Sequence, residues 1–121
     1  MVDFGDATAA TGQAAACSDA TRAVIGGGTP DGGANIHNKI DYLTIQTTGN
    51  ATDFGDLTVG RFRPAACANS TRGVFSGGYA TGTTRQNVMD FVTIQTLGNA
   101  TDFGDLLEAT TNHMSFSGAP S

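Results

Sequence analysis

Six of the eleven acidic residues in this chain stand in pairs three positions apart: Asp3 and Asp6, Asp53 and Asp56, Asp102 and Asp105. Each pair brackets Phe-Gly, so DFGD occurs three times, with Phe4, Phe54 and Phe103 inside it. Paired carboxylates present the hard oxygen ligands that calcium takes. The competing reading is structural. The aspartates satisfy backbone N–H groups of a turn while the phenylalanine plugs the space between neighbouring units. The turn reading is preferred, so neither a metal nor a cofactor is expected.

Other reactive side chains recur in the same way. Arg22 and Arg72 each follow a Thr and precede an apolar run. A once-per-unit arginine either binds an acidic ligand at a repeated site or pairs with a once-per-unit aspartate, here the DFGD carboxylates of an adjacent unit. The structural pair is preferred. Cys17 and Cys67 hold one position in successive copies, and Phe116 takes it in the third. A position that accepts Cys or Phe reads as a buried strand site, and no CxxC spacing points to a disulfide or metal.

His37 and His113 lie in unlike contexts, neither beside a nucleophile and an orienting acid, so there is no case for a hydrolytic triad. The GGGTPDGG stretch at 26–33 lacks the GK[ST] ending of a phosphate loop and reads as a strand end with a hairpin loop. Asn50, Asn69 and Asn99 begin Asn-X-Thr triplets, which read as turn asparagines. The chain is therefore expected not to be an enzyme.

These residues recur because the chain repeats. TIQTTGNATDFGDL at 44–57 returns as TIQTLGNATDFGDL at 93–106, with Thr48 changed to Leu97. Asp3, Asp53 and Asp102 are spaced by 50 and 49 residues, a period that marks stacked supersecondary units. The units are 3–52, 53–101 and a partial 102–121, within one repeat domain spanning 1–121. Seventeen glycines, no tryptophan and one lysine, Lys39, suit short strands and tight turns. In the second unit four strand-like runs fall at 64–68, 73–78, 88–96 and 101–107, and Val88, Asp90, Val92 and Ile94 alternate with period two.

A formal net charge of −5 argues against a nucleic-acid surface, which needs clustered Lys and Arg. No basic segment followed by an apolar core marks a signal peptide, and no apolar run nears the roughly 20 residues of a membrane helix. No membrane insertion is expected.

Gly77-Gly78, matched by Gly27-Gly28, is followed by a variable polar loop and an aromatic-bearing strand, an order that resembles a kelch-type blade. The string ACxxxTRxVxxGG, a loop, then DYxTIQTxGNATDFGDL is similar to the kelch-like repeats of marine and cyanobacterial phage virion proteins, and it covers nearly the whole chain. The resemblance implies an all-β fold of kelch-like β-propeller blades: two four-stranded antiparallel blades plus flanking strands. It also implies a structural or assembly role in a virion, as a tail, spike or capsid-associated protein among other virion proteins, assembled in the host cytoplasm. A closed propeller needs about four to eight blades. Two units cannot close a ring, so oligomerisation is expected, a homotrimer rather than a dimer. The alternatives are a lectin-like propeller that holds a host surface glycan and a kelch-like protein-interaction scaffold. For the lectin, the variable loops at 29–38 and 79–86 would present Asp31, His37, Tyr79 and Arg85.

Overall fold

The computed structural model describes residues 3–80 and 84–110. Eight strands follow in order: β1 (Ala15–Ser18), β2 (Arg22–Gly26), β3 (Lys39–Thr44), β4 (Thr52–Asp56), β5 (Ala65–Ala68), β6 (Arg72–Ser76), β7 (Gln86–Thr93) and β8 (Thr101–Thr110). They form two four-stranded antiparallel sheets with neighbours in chain order, β1-β2-β3-β4 and β5-β6-β7-β8. The protein is all-β, and the described residues contain no helix.

Local chemistry sets the turns. Asp19 Oδ1 accepts the backbone N–H groups of Thr21 and Arg22 at 2.8 and 2.7 Å, and Asn69 Oδ1 does the same for Thr71 and Arg72 at 2.9 and 2.8 Å. Each cap closes the hairpin between the first two strands of its sheet, as an Asx turn does. β7 stops at Thr93 instead of running to residue 96, because Thr96 N–H turns back onto the Thr93 carbonyl at 3.0 Å. Gly77 and Gly78 lie just past β6 at positive φ, 68° and 93°, so the chain leaves the sheet there.

The DFGD tetrad lies inside a strand, within β4 and again within β8, in agreement with the strand-like run expected at 101–107 and at odds with the turn role expected of its aspartates. The partner of Ile40 is Gly55 and that of Asp41 is Asp53, so Phe54 is an extra residue with no opposite number. The same shift falls between Met89 and Asp90, which pair with Gly104 and Asp102 and skip Phe103. Asp-Gly composition marks a β-bulge here rather than a reversal of the chain.

One apolar cluster holds both sheets. Val24, Ile40 and Phe54 of the first sheet, with Leu57 just beyond β4, meet Ala68, Phe75 and Val92 of the second, with Ile94 just beyond β7. Alternation along the strands chooses the faces. In the first sheet Cys17, Val24 and Tyr42 are register partners on one face; in the second, Phe75 with Ala66 and Gly73 with Val92 lie on the face that meets it. The approach is close enough to need small residues. A Cβ on Gly26 would stand 2.9 Å from the Phe75 ring, and one on Gly73 would stand 2.7 Å from Cys17 Sγ. The contact is head to tail: the face of the first sheet that meets the second corresponds, in the second sheet, to the face pointing away.

Candidate functional site

The recurring residues build a slot that is used twice. The N–H groups of Gly98 and Ala100 donate to the carbonyls of Phe54 and Asp56 at 3.0 and 2.8 Å, and Asn99 Oδ1 accepts the Asp56 N–H at 3.0 Å. Just beyond β4, Thr58 binds the buried Asp90 of β7 through its N–H at 3.0 Å and its hydroxyl. The outer strand of the first sheet is thus clasped by the turn between β7 and β8. On the first sheet residues 3–8 fill the same slot. Gly49 and Ala51 donate to the carbonyls of Phe4 and Asp6 at 2.8 and 2.7 Å, Asn50 Oδ1 accepts Asp6 N–H at 3.0 Å, and Thr8 binds Asp41 at 2.7–3.0 Å.

Glycine is required at the centre of each clasp. A Cβ on Gly55 would lie 2.3 Å from the Gly98 carbonyl oxygen, and one on Gly5 would lie 2.2 Å from that of Gly49. Phe54 is buried in the inter-sheet cluster. The aspartates behave differently from the turn expectation: Asp102 Oδ1 accepts the Gly104 N–H at 3.2 Å, a contact two residues along its own strand. Among the described residues no group of three or more His, Cys, Asp or Glu side chains could hold a metal.

Arg22 departs from the expected pairing with DFGD. Its guanidinium lies 4.4 Å from the Tyr42 ring centroid and donates to the Ile94 carbonyl of the second sheet at 3.0 Å. Tyr42 in turn meets Phe54 edge to face at 6.0 Å. Stacking on an aromatic suits a planar cation, and the fork left over reaches a backbone oxygen across the interface. Arg72 stacks on Phe91 at 4.3 Å, and Phe91 meets Phe103 edge to face at 6.0 Å, so the trio recurs. Next to Arg22, Gln95 Nε2 donates to Asp19 Oδ2 and to Thr21 Oγ1. Burial pushes the Asp19 carboxyl up, but the donors from Gln95, Thr21 and Arg22 outweigh it and hold it below its ordinary value.

Cys17 and Cys67 are free and half-buried; burial, with a smaller contribution from Cys67, pushes the Cys17 thiol up to about 12. Asp31 organises the loop at 29–38. It accepts the Asn35 N–H at 2.8 Å, the Asn35 amide and the Thr29 hydroxyl, and these contacts, the Asn35 backbone first, hold its carboxyl at about 2. His37 is half-buried, and its carbonyl accepts Arg61 N–H at 3.2 Å. Tyr79 stacks on the buried Phe62 at 5.4 Å, and the exposed Arg85 is bridged to Tyr79 through the backbone. Of the four loop residues named from sequence, Asp31, His37 and Tyr79 are thus engaged in organising or packing the loops. His113 and Phe116 lie outside the described residues, as do the loop positions 81–83 and the end of the partial third unit.

The buried ion pair escaped the sequence reading. Arg61, fully buried, lies 3.1 Å from Asp90, also fully buried, and donates to the carbonyls of Val88 and Phe75 at 2.9 and 3.2 Å. Burial lowers its pKa while Asp90 opposes the shift. The corresponding position in the first unit is Thr11, so comparison of the repeats gave no signal for it. An open, threonine-rich groove does recur, about 300 Å³ beside Tyr42, Thr44, Thr47 and Asn50, and about 150 Å³ at the matching Phe91, Thr93, Thr96 and Asn99.

No protein-family model matches the chain. No curated protein matches it either.

Proposed function

We propose that the chain is a non-enzymatic structural module of a virion, with each four-stranded sheet acting as a kelch-like propeller blade and the ring completed by association. The observation that carries this reading is the clasp: the second sheet holds the outer strand of the first through residues that the first sheet also possesses and uses. A contact built from repeated residues is one that a further unit can extend. Three copies would supply six blades and two copies four, within the range of about four to eight in which such rings close. The virion assignment rests on the resemblance of the repeat string to phage proteins. Proteomics of purified virions of the source virus is expected to find the chain in many copies per particle, and its absence from the particles would overturn the role.

The recurrent threonine-rich groove favours a second reading, a glycan-binding module with one site per unit. Against it, the Tyr42 ring is already engaged by Arg22 and Phe54, whereas sugars are held by open aromatic faces. A glycan array probed with the chain separates the two, since saturable binding to a defined sugar would put the lectin ahead.

A further inference from the structure

Among the described residues, the kind of contact that joins the two sheets is left with two unused halves, one on the outward face of each sheet. On the outward face of the second sheet Phe103 is 51% exposed, whereas its counterpart Phe54 is 3% exposed. Val74, likewise, is half-buried where Val24 is fully buried. On the outward face of the first sheet Ile45 is 41% exposed, whereas Ile94 is fully buried against the other sheet. Ile25 and Leu43 are half-buried there, where Phe75 and Val92 are buried.

We propose that these halves meet: the outward face of the second sheet docks the first sheet of a second copy head to tail, and the β8 tetrad takes the slot that residues 3–8 of that copy otherwise fill. The proposal rests on the repeat-module reading and names its partner. Continuity with the internal interface selects the occupant, because a second copy presents the same backbone slot and an apolar face of the matching kind. The side chains compensate in size. Phe75 fits over Gly26, which lacks a side chain; in the new contact Ser76 stands where Gly26 does, and it faces Ile25, which is smaller than Phe75. Ala23 adds a methyl where Gly73 has none, so Cys67 must turn its thiol aside from the position Cys17 holds.

The slot can hold one DFGD segment at a time. β8 carries the identical tetrad, and among the described residues nothing lies within 4 Å of a Cβ on Gly104, whereas one on Gly5 or Gly55 would strike the clasping carbonyl. Residues 3–8 and the β8 of a neighbour therefore compete, and assembly proceeds by segment exchange. One residue biases the competition. Thr8 and Thr58 each give a hydroxyl and an N–H to a third-strand aspartate, whereas the third copy has Leu107 in that place. Leu107 can still offer its N–H, but its side chain, fully exposed, has no donor for Asp41. The chain's own segment is thereby favoured, and the exchanged contact is weak and gated by release of residues 3–8.

Three full-length variants test this by sedimentation equilibrium, with circular dichroism as a check on folding. Leu107→Thr restores the missing hydroxyl and is expected to tighten self-association about tenfold or more, the effect of one hydrogen bond to a charged acceptor. Gly5→Ala should eject residues 3–8 and raise association further, while Gly104→Ala in the same chain should abolish the gain. A Leu107→Thr chain that associates no better than the parent overturns the proposal, even if Gly5→Ala fails to fold. Protection of the Phe103–Leu107 edge from amide exchange in a dilution-independent monomer also overturns it, because residues 111–121 of the same chain would then be the occupant. Neither result bears on whether the chain is found in virions, so failure of the docking mode and failure of the virion role remain distinct.

Discussion

At the scale of single residues, the fully buried Arg61–Asp90 pair is costly, because two charges removed from water must be matched almost completely. Among the described residues three acceptors meet the Arg61 guanidinium and Thr58 adds to the shell of Asp90, yet Arg61 Nε is buried without a partner there. The pair is thus better at fixing one arrangement than at adding net stability. Arg61→Met removes the cation and leaves the buried Asp90 charge with Thr58 but no counter-ion among the described residues; it is expected to lower unfolding free energy by about 3–5 kcal/mol in urea titration. Adding Asp90→Leu should recover part of that loss, since the uncompensated charge goes while the Thr58 N–H loses its acceptor. A single variant as stable as the parent would mean that water already reaches the site. The fully exposed counterpart of such a pair would have mattered far less.

At the scale of elements, a strand that serves two sheets explains the tetrad. β4 pairs with β3 along one edge and offers its Phe54 and Asp56 carbonyls to the β7–β8 turn along the other, which brings two backbones together at Gly55. Gly55→Ala and Gly104→Ala impose the same backbone strain, at φ of 155° and 149°, but the first alone adds a clash with the Gly98 carbonyl. Each should lose about 1–3 kcal/mol to the glycine-only conformation, and Gly55→Ala a further roughly 1–3 kcal/mol to overpacking. Equal melting temperatures for the two variants would show that the sheets can part without cost. The strands themselves were legible in the sequence, because period-two alternation and the duplicated segment both survive in β3 and β7. The bulge was not legible, since Asp-Gly composition is shared by turns and bulges and the choice is made by a carbonyl some 43 residues away, from Gly55 to Gly98. The Thr58–Asp90 latch and Arg61 were missed for a related reason: their partners are set by the packing of one sheet on the next, which local spacing does not encode.

At the scale of the whole molecule, the two sheets cohere through one head-to-tail contact, so anything that loosens that contact should reach both. Asp19 is the titratable member of its polar margin: it caps the β1–β2 turn and receives Gln95 from the other sheet. Its folded pKa lies below the ordinary 3.8, so its contribution is complete above that value and is lost as pH falls through the lower, folded one. Asp19→Asn keeps the cap, as Asn69 does in the second sheet, and removes the charge that Gln95 approaches. The parent should therefore be the more stable of the two at neutral pH, with the gap in melting temperature closing as the solution is taken below pH 3.8. Because Asp19 sits near solvent, the gap should also shrink in high salt, where exposed charges are screened. A gap that stays constant from neutral to strongly acidic solution would place the stabilising effect of Asp19 in its turn alone. The link between the sheets would then rest on the apolar cluster, the Arg22 contact to Ile94 and the clasp of β4 by the β7–β8 turn.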